Sequence, residues 1–116
     1  MNLTNRPTVT WADFEKVDMR VGRIVQADVF AEAKKPAYKL EVDLGPELGI
    51  KRSSARITQA YTPEELVGKL VVCVVNFAPK KIGPVISEVL LMGSYSAQGV
   101  VLLRPDSVVE PGDKIG

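Results

Sequence analysis

The sequence predicts a mainly β fold, a small barrel of five or six short strands with one or two short helices. Three observations lead there. Short extended segments recur along the chain, separated by Gly, Pro and Asn. One of them, residues 71–75, is apolar on both parities (Val71, Val72, Cys73, Val74, Val75), which marks a strand covered on both faces. The strongest helix signal falls between the third and fourth strand candidates, and glycines mark the bends, as a small closed barrel requires.

Taken in order, residues 1–9 lack periodicity and read as a flexible arm, with a single domain over 10–116. Thr10 can cap a short helix over 11–16, with Asp13 three residues on and Val9 and Phe14 spaced as a hydrophobic staple. Trp11 and Phe14 are expected to pack on the body of the domain, the alternative being a base-stacking platform. Residues 19–30 form a long first strand. Val21, Val25, Ala27 and Val29 share a parity that Arg23 and Ile24 interrupt, so a bulge or sharp coil is expected near Gly22. After a loop over 32–36, residues 37–44 alternate cleanly, with Tyr38, Leu40, Val42 and Leu44 on one side and Lys39, Glu41 and Asp43 on the other.

A turn over 45–49 leads to a third strand over 50–57, polar enough to be an edge or a binding face. Thr62, Pro63, Glu64 and Glu65 open a helix that Gly68 stops after one or two turns. Residues 71–75 are the central strand. Two prolines, a glycine and the Lys80-Lys81 pair make 76–84 a basic loop, and 85–92 is extended again. A turn-rich link over 93–99 precedes a last strand at 100–103. Pro111-Gly112-Asp113 then makes a tight turn before Ile115.

At 116 residues the chain is one domain, long enough to bury roughly two thirds of its unfolded surface. Its apolar runs fall far short of the ~20 residues that span a bilayer, and its first residues have no apolar core, so a cytoplasmic protein without signal peptide or membrane insertion is expected. Histidine is absent and the carboxylates show no ligand spacing, so neither a metal, nor another cofactor, nor catalysis is expected. Cys73 reads as a small buried hydrophobe. Net charge is +1, but the span from Lys34 to Lys81 holds nine basic and five acidic residues between acidic flanks.

Three motifs carry a family resemblance. They are Asp13-Phe14-x-Lys16-x-Asp18-x-Arg20-Val21-Gly22-x-Ile24, then Asn76-Phe77-x-Pro79-Lys80-Lys81-Ile82 with Ser87-Glu88-x-Leu90, and Val101-x-Leu103-x-Pro105. In this order they resemble the tRNA-binding domain found at the C-terminus of some methionyl-tRNA synthetases. Ser53-Ser54-Ala55 and Ser87-Glu88-Val89-Leu90 are similar to the CsaA-type secretion chaperones of that family, where the synthetase pattern has Ser-Gly and Gly-Met.

The resemblance implies a five-stranded OB-fold barrel with extra N- and C-terminal segments, the latter a dimerisation segment. It implies an export chaperone for unfolded preproteins, the alternative being a structure-specific tRNA-binding protein acting in trans; a chain with no synthetase attached favours the chaperone. The expected partners are a second copy, tRNA, unfolded or secretory polypeptides and the export translocation ATPase. Carried over residue by residue, the nucleic-acid face comprises Lys39, Lys51, Arg52, Ser54, Arg56, Asn76, Lys80, Lys81, Ser87 and Glu88. The lysines and arginines would meet phosphates, while Ser54, Asn76 and Ser87 would reach sugar and base edges. A polypeptide would use Phe77, Ile82, Val85, Ile86 and Met92, set among the basic residues.

Overall fold

The computed structural model describes residues 6–116. The arm expected over 1–9 lies outside the described residues as far as position 5, and 6–9 form no helix or strand. Helix α1 (Trp11–Glu15) starts where the sequence places it. The Thr10 hydroxyl accepts the Asp13 amide at 3.1 Å, and the Asp13 carboxylate accepts the Thr10 amide at 3.2 Å. The helix does not bury its aromatic pair, contrary to expectation. Trp11 is 69% exposed, and its ring lies tilted against that of Phe14, centroids 5.5 Å apart. A five-residue helix has too little face to shield both rings, and α1 buries none of its residues.

Strand β1 (Met19–Val29) pairs with β4 (Leu70–Val74) along its first half and with β2 (Tyr38–Asp43) along its second, changing partner at Arg23. The bulge lies between Ile24 and Gln26, not near Gly22. Val25 is the extra residue, and its insertion puts Ile24 opposite Val42 and Ala27 opposite Leu40, so both face the core. Gly22 has a different role. A Cβ there would stand 2.4 Å from Val42 Cγ1, so the absence of a side chain lets β1 cross the barrel interior at its corner.

Strand β2 alternates as predicted, its odd positions half-buried and Tyr38, Leu40 and Val42 inside. Residues 45–48 are not a plain turn but a one-turn helix, α2 (Gly45–Leu48), with Pro46 in its first turn. Strand β3 (Ile50–Ala55) follows as the edge of the main sheet. Helix α3 (Pro63–Leu66) opens with the Glu65 carboxylate accepting the Thr62 amide at 2.7 Å and lowers Leu66 into the core. Strand β4 is buried throughout: Val71 and Cys73 join the interior cluster. On its other face Val72 is covered, its backbone tied to Leu103 and Met92.

The stretch after β4 departs most from expectation. Lys80 and Lys81 belong to a strand, β5 (Lys80–Ile82), paired with β6 (Val85–Ser87) around a tip at Gly83-Pro84. Residues 85–92 are therefore two strands, since β7 (Leu90–Leu91) pairs separately with β4. The link over 93–99 is also a hairpin, β8 (Gly93–Ser96) with β9 (Gly99–Leu102). Strand β10 (Lys114–Ile115) returns to lie on Met19 and Arg20 of β1.

The main sheet runs β3-β2-β1-β4-β7, every pairing antiparallel, with β10 beside β1. Between β3 and β7 the ring closes through hydrogen bonds between residues 52–54 and residues 87–89. Ser53 Oγ donates to the Val89 carbonyl at 2.8 Å, and the Glu88 amide donates to the Arg52 carbonyl at 2.8 Å. The result is the nearly closed, five-stranded OB-type barrel the sequence implied. Ile24, Leu40, Val42, Leu66 and Val71 fill it, each contributing about 1.5–3 kcal/mol by burial.

Candidate functional site

The face that the sequence singles out is the outer side of β1, β2 and β3, with the β5–β6 hairpin beside it. Alternation in β2 sends Leu40 and Val42 inward, so Lys39 and Glu41 point out. Register then sets Asp28 beside Lys39, Lys39 beside Ser54, Gln26 beside Glu41, and Glu41 beside Arg52. Val85 of the hairpin overhangs this row and encloses an open groove of about 180 Å³ with Gln26, Asp28, Lys39, Glu41 and Arg52. At the hairpin tip, Gly83 lies against the buried Phe30 ring, which also carries Lys39 Nζ 6.0 Å from its centre.

Glu88 fixes the electrostatics of the β3 end of this face. Its carboxylate lies 3.7 Å from Lys51 Nζ and 3.4 Å from Arg52 Nε, and it accepts the Arg52 amide at 3.3 Å. Its neighbour Ser87 accepts the Ser54 amide on its hydroxyl at 3.3 Å. The two side chains thus satisfy donors on the outer edge of β3. This is how a strand rich in Lys, Arg and Ser is accommodated in the barrel wall. The groove floor is similarly mixed in sign, with Asp28 and Glu41 interleaved among Lys39 and Arg52.

The remaining sequence-predicted residues separate. Arg56, Lys80 and Lys81 are exposed and make no ion pair among the described residues. Asn76 stands apart from the face. Its carbonyl oxygen accepts the Asp18 amide at 2.9 Å and its amide donates to the Lys16 carbonyl at 2.7 Å, which ties the end of α1 to the end of β4. Asp18 in turn holds the Arg20 guanidinium at 2.7 Å, a bond that raises the Arg20 pKa, and Arg20 reaches the Gly112 carbonyl.

The apolar residues do not form one cluster. Hairpin register puts Ile82 opposite Val85, on the side where Ser87 meets β3, while Ile86 sits opposite Lys81 on the other. Ile86 is 41% exposed. Phe77 is 57% exposed and stands at the base of the hairpin, next to the Asn76 anchor. Met92 lies beyond β7, its backbone bonded to Val72 and Leu103, away from the groove residues. Glu41, Gln26 and Asp28 were missed in the sequence as groove residues. Only their outward parity signalled them, and parity does not say which stretch of outer surface a hairpin covers.

Burial pushes the Cys73 thiol up to about 12, which leaves no thiolate at neutral pH. No group of three or more Cys, Asp or Glu able to hold a metal ion occurs among the described residues. Among them, no helix is long and apolar enough to cross a membrane.

Comparison with known proteins gives a consistent answer. Residues 19–114 match the family described as "Putative tRNA binding domain". The structure of a CsaA chaperone protein from Picrophilus torridus superposes with a TM-score of 0.90 at 50% identity, over 94% of this chain and all of that one. A chaperone CsaA from Bacillus anthracis gives 0.88 at 45% identity, over 95% of this chain and all of that one. The methionine–tRNA ligase of Archaeoglobus fulgidus is 35% identical over 97% of this chain, which spans only 17% of the ligase. The barrel, the three motifs and these matches agree: the chain belongs to the tRNA-binding-domain family and is of the CsaA type.

Proposed function

We propose that this protein is a non-catalytic, CsaA-like export chaperone that holds unfolded preproteins on the hairpin side of the barrel. The observation that carries the reading is the exposure of Phe77 at the base of the hairpin and Ile86 on β6, large apolar side chains without a covering element among the described residues. Exposed apolar groups rimmed by polar ones, here Lys80 and Lys81, suit an extended chain with mixed sequence. Ile82 and Val85 line the opposite, inner side of the hairpin and offer a separate apolar contact beside the groove. The likeness to two CsaA chaperones supports the same reading. A homodimer in the cytoplasm, passing clients to the export translocation ATPase, completes the proposal.

A second reading has its own support. Arg56, Lys80 and Lys81 are exposed cations without carboxylate partners among the described residues, and the family description names tRNA. In this reading the protein binds tRNA in trans by shape and phosphate contacts, with little reading of bases.

Salt separates the two. Apolar burial is not screened, so protection of an aggregating client should persist between about 50 mM and 200 mM salt, while tRNA binding should fall steeply. A Phe77→Ser, Ile86→Ser double variant should lose most client protection and keep its fold, because neither side chain is in the core. A folded double variant with full protection would place the polypeptide site elsewhere.

A further inference from the structure

We infer that Glu88 is an internal competitor for anionic ligands, a specificity-determining residue that keeps the β3 cations from phosphates. This deepens the tRNA reading above and rests on it. The cations expected to meet RNA fall into two groups with different surroundings. Lys80, Lys81 and Arg56 are exposed and unpaired among the described residues. Lys51 and Arg52 instead share one carboxylate, Glu88, at 3.7 Å and 3.4 Å.

That carboxylate is not a loose surface partner. Its side chain is 24% exposed, against 39% for Lys51 and 54% for Arg52. One of its oxygens also accepts the Arg52 amide, and its own amide donates to the Arg52 carbonyl. Backbone and side chain therefore hold Glu88 against β3 before any ligand arrives. A phosphate approaching Arg52 meets a guanidinium already engaged by an oxyanion that cannot diffuse away. A partly exposed pair of this kind contributes little to stability. Its effect on a polyanion is larger, because an engaged cation has no counterion to release and adds nothing to the salt-dependent term.

The same geometry explains why glutamate is suited to this position. Its carboxylate reaches an edge donor of β3 and its charge sits between two cations, so one residue closes the seam and neutralises part of the face. Gln has the same shape and retains an oxygen for the Arg52 amide, so it preserves the seam and removes the charge.

The test measures binding of a tRNA transcript over a salt series. Glu88→Gln should bind about tenfold more tightly near 50 mM salt, and its log–log slope should steepen by about 1. A second measurement does not depend on that variant folding. In the native background, a Lys51→Gln, Arg52→Gln double variant should flatten the slope by less than about 1, well short of the roughly 2 expected for exposed Lys80 and Lys81. A slope change as large as the Lys80, Lys81 pair gives, or Glu88→Gln binding like the native protein, overturns the inference and leaves the tRNA reading intact. No tRNA binding by the native protein overturns both.

Discussion

Single residues in this barrel take roles that their type leaves open. Asn76 and Ser87 are polar residues in a candidate binding motif, yet both are engaged by backbone groups, Asn76 on Asp18 and Lys16 and Ser87 on Ser54. Cys73 is the reverse case, a reactive residue type made inert by position. Desolvation raises its thiol from 9.0 to about 12, so the folded state keeps a proton that the unfolded chain releases above about pH 9. A group with a raised folded pKa contributes stability below its unfolded value and loses it as pH rises. Resistance to urea should therefore fall as pH climbs from about 9 toward about 12, and native Cys73 should resist iodoacetamide at about pH 8 until the protein unfolds. Rapid alkylation of the folded protein would show that the β4 core opens locally.

At the scale of elements, the β5–β6 hairpin is the part of the chain that most resembles a tool. It is short, it belongs to a sheet of its own, and Gly83 at its tip leans on Phe30 of the barrel. Register gives it two unlike sides. Ser87, Ile82 and Val85 face β3 and the groove, while Lys81 and Ile86 face away. Lys80→Ala with Lys81→Ala should weaken tRNA binding and reduce the log–log salt slope by roughly 2, with thermal stability unchanged because both side chains are exposed. An unchanged slope in a folded variant takes the hairpin off the RNA path. The prolines and glycine that made residues 76–84 read as loop mark the approach and the tip. They do not prevent the three-residue strand between them, because a lone two-stranded hairpin tolerates breaks that a central strand does not.

The whole molecule leaves apolar surface that one copy does not cover. Trp11 of α1, Tyr95 on β8 and Val108 in the tail are 69%, 93% and 86% exposed. The C-terminal segment also returns through β10 to β1, so the two ends of the domain are tied into one sheet. We expect a homodimer built on these terminal elements. Sedimentation at low micromolar concentration should give a species of twice the 12.6 kDa chain mass, and Trp11→Ser with Val108→Ser should shift it toward one copy. A single 12.6 kDa species for the native protein contradicts the expectation.

The β character, the order of the first four strands, both capped helices and the doubly buried strand β4 were all legible in the residues. Each is set by periodicity, capping chemistry or local breakers, which act over a few positions. The three motifs likewise named the family. What neighbouring residues could not reveal depends on contacts between segments far apart in the chain. The bulge sits at Val25 because Ile24 and Ala27 must meet Val42 and Leu40, and Gly22 is bare because Val42 passes within 2.4 Å of where its Cβ would be. Glu88 looked like one more polar residue in a motif. It became the counterion of Lys51 and Arg52 only when barrel closure brought residues 36 and 37 positions apart against each other, since charge pairing depends on distance in space.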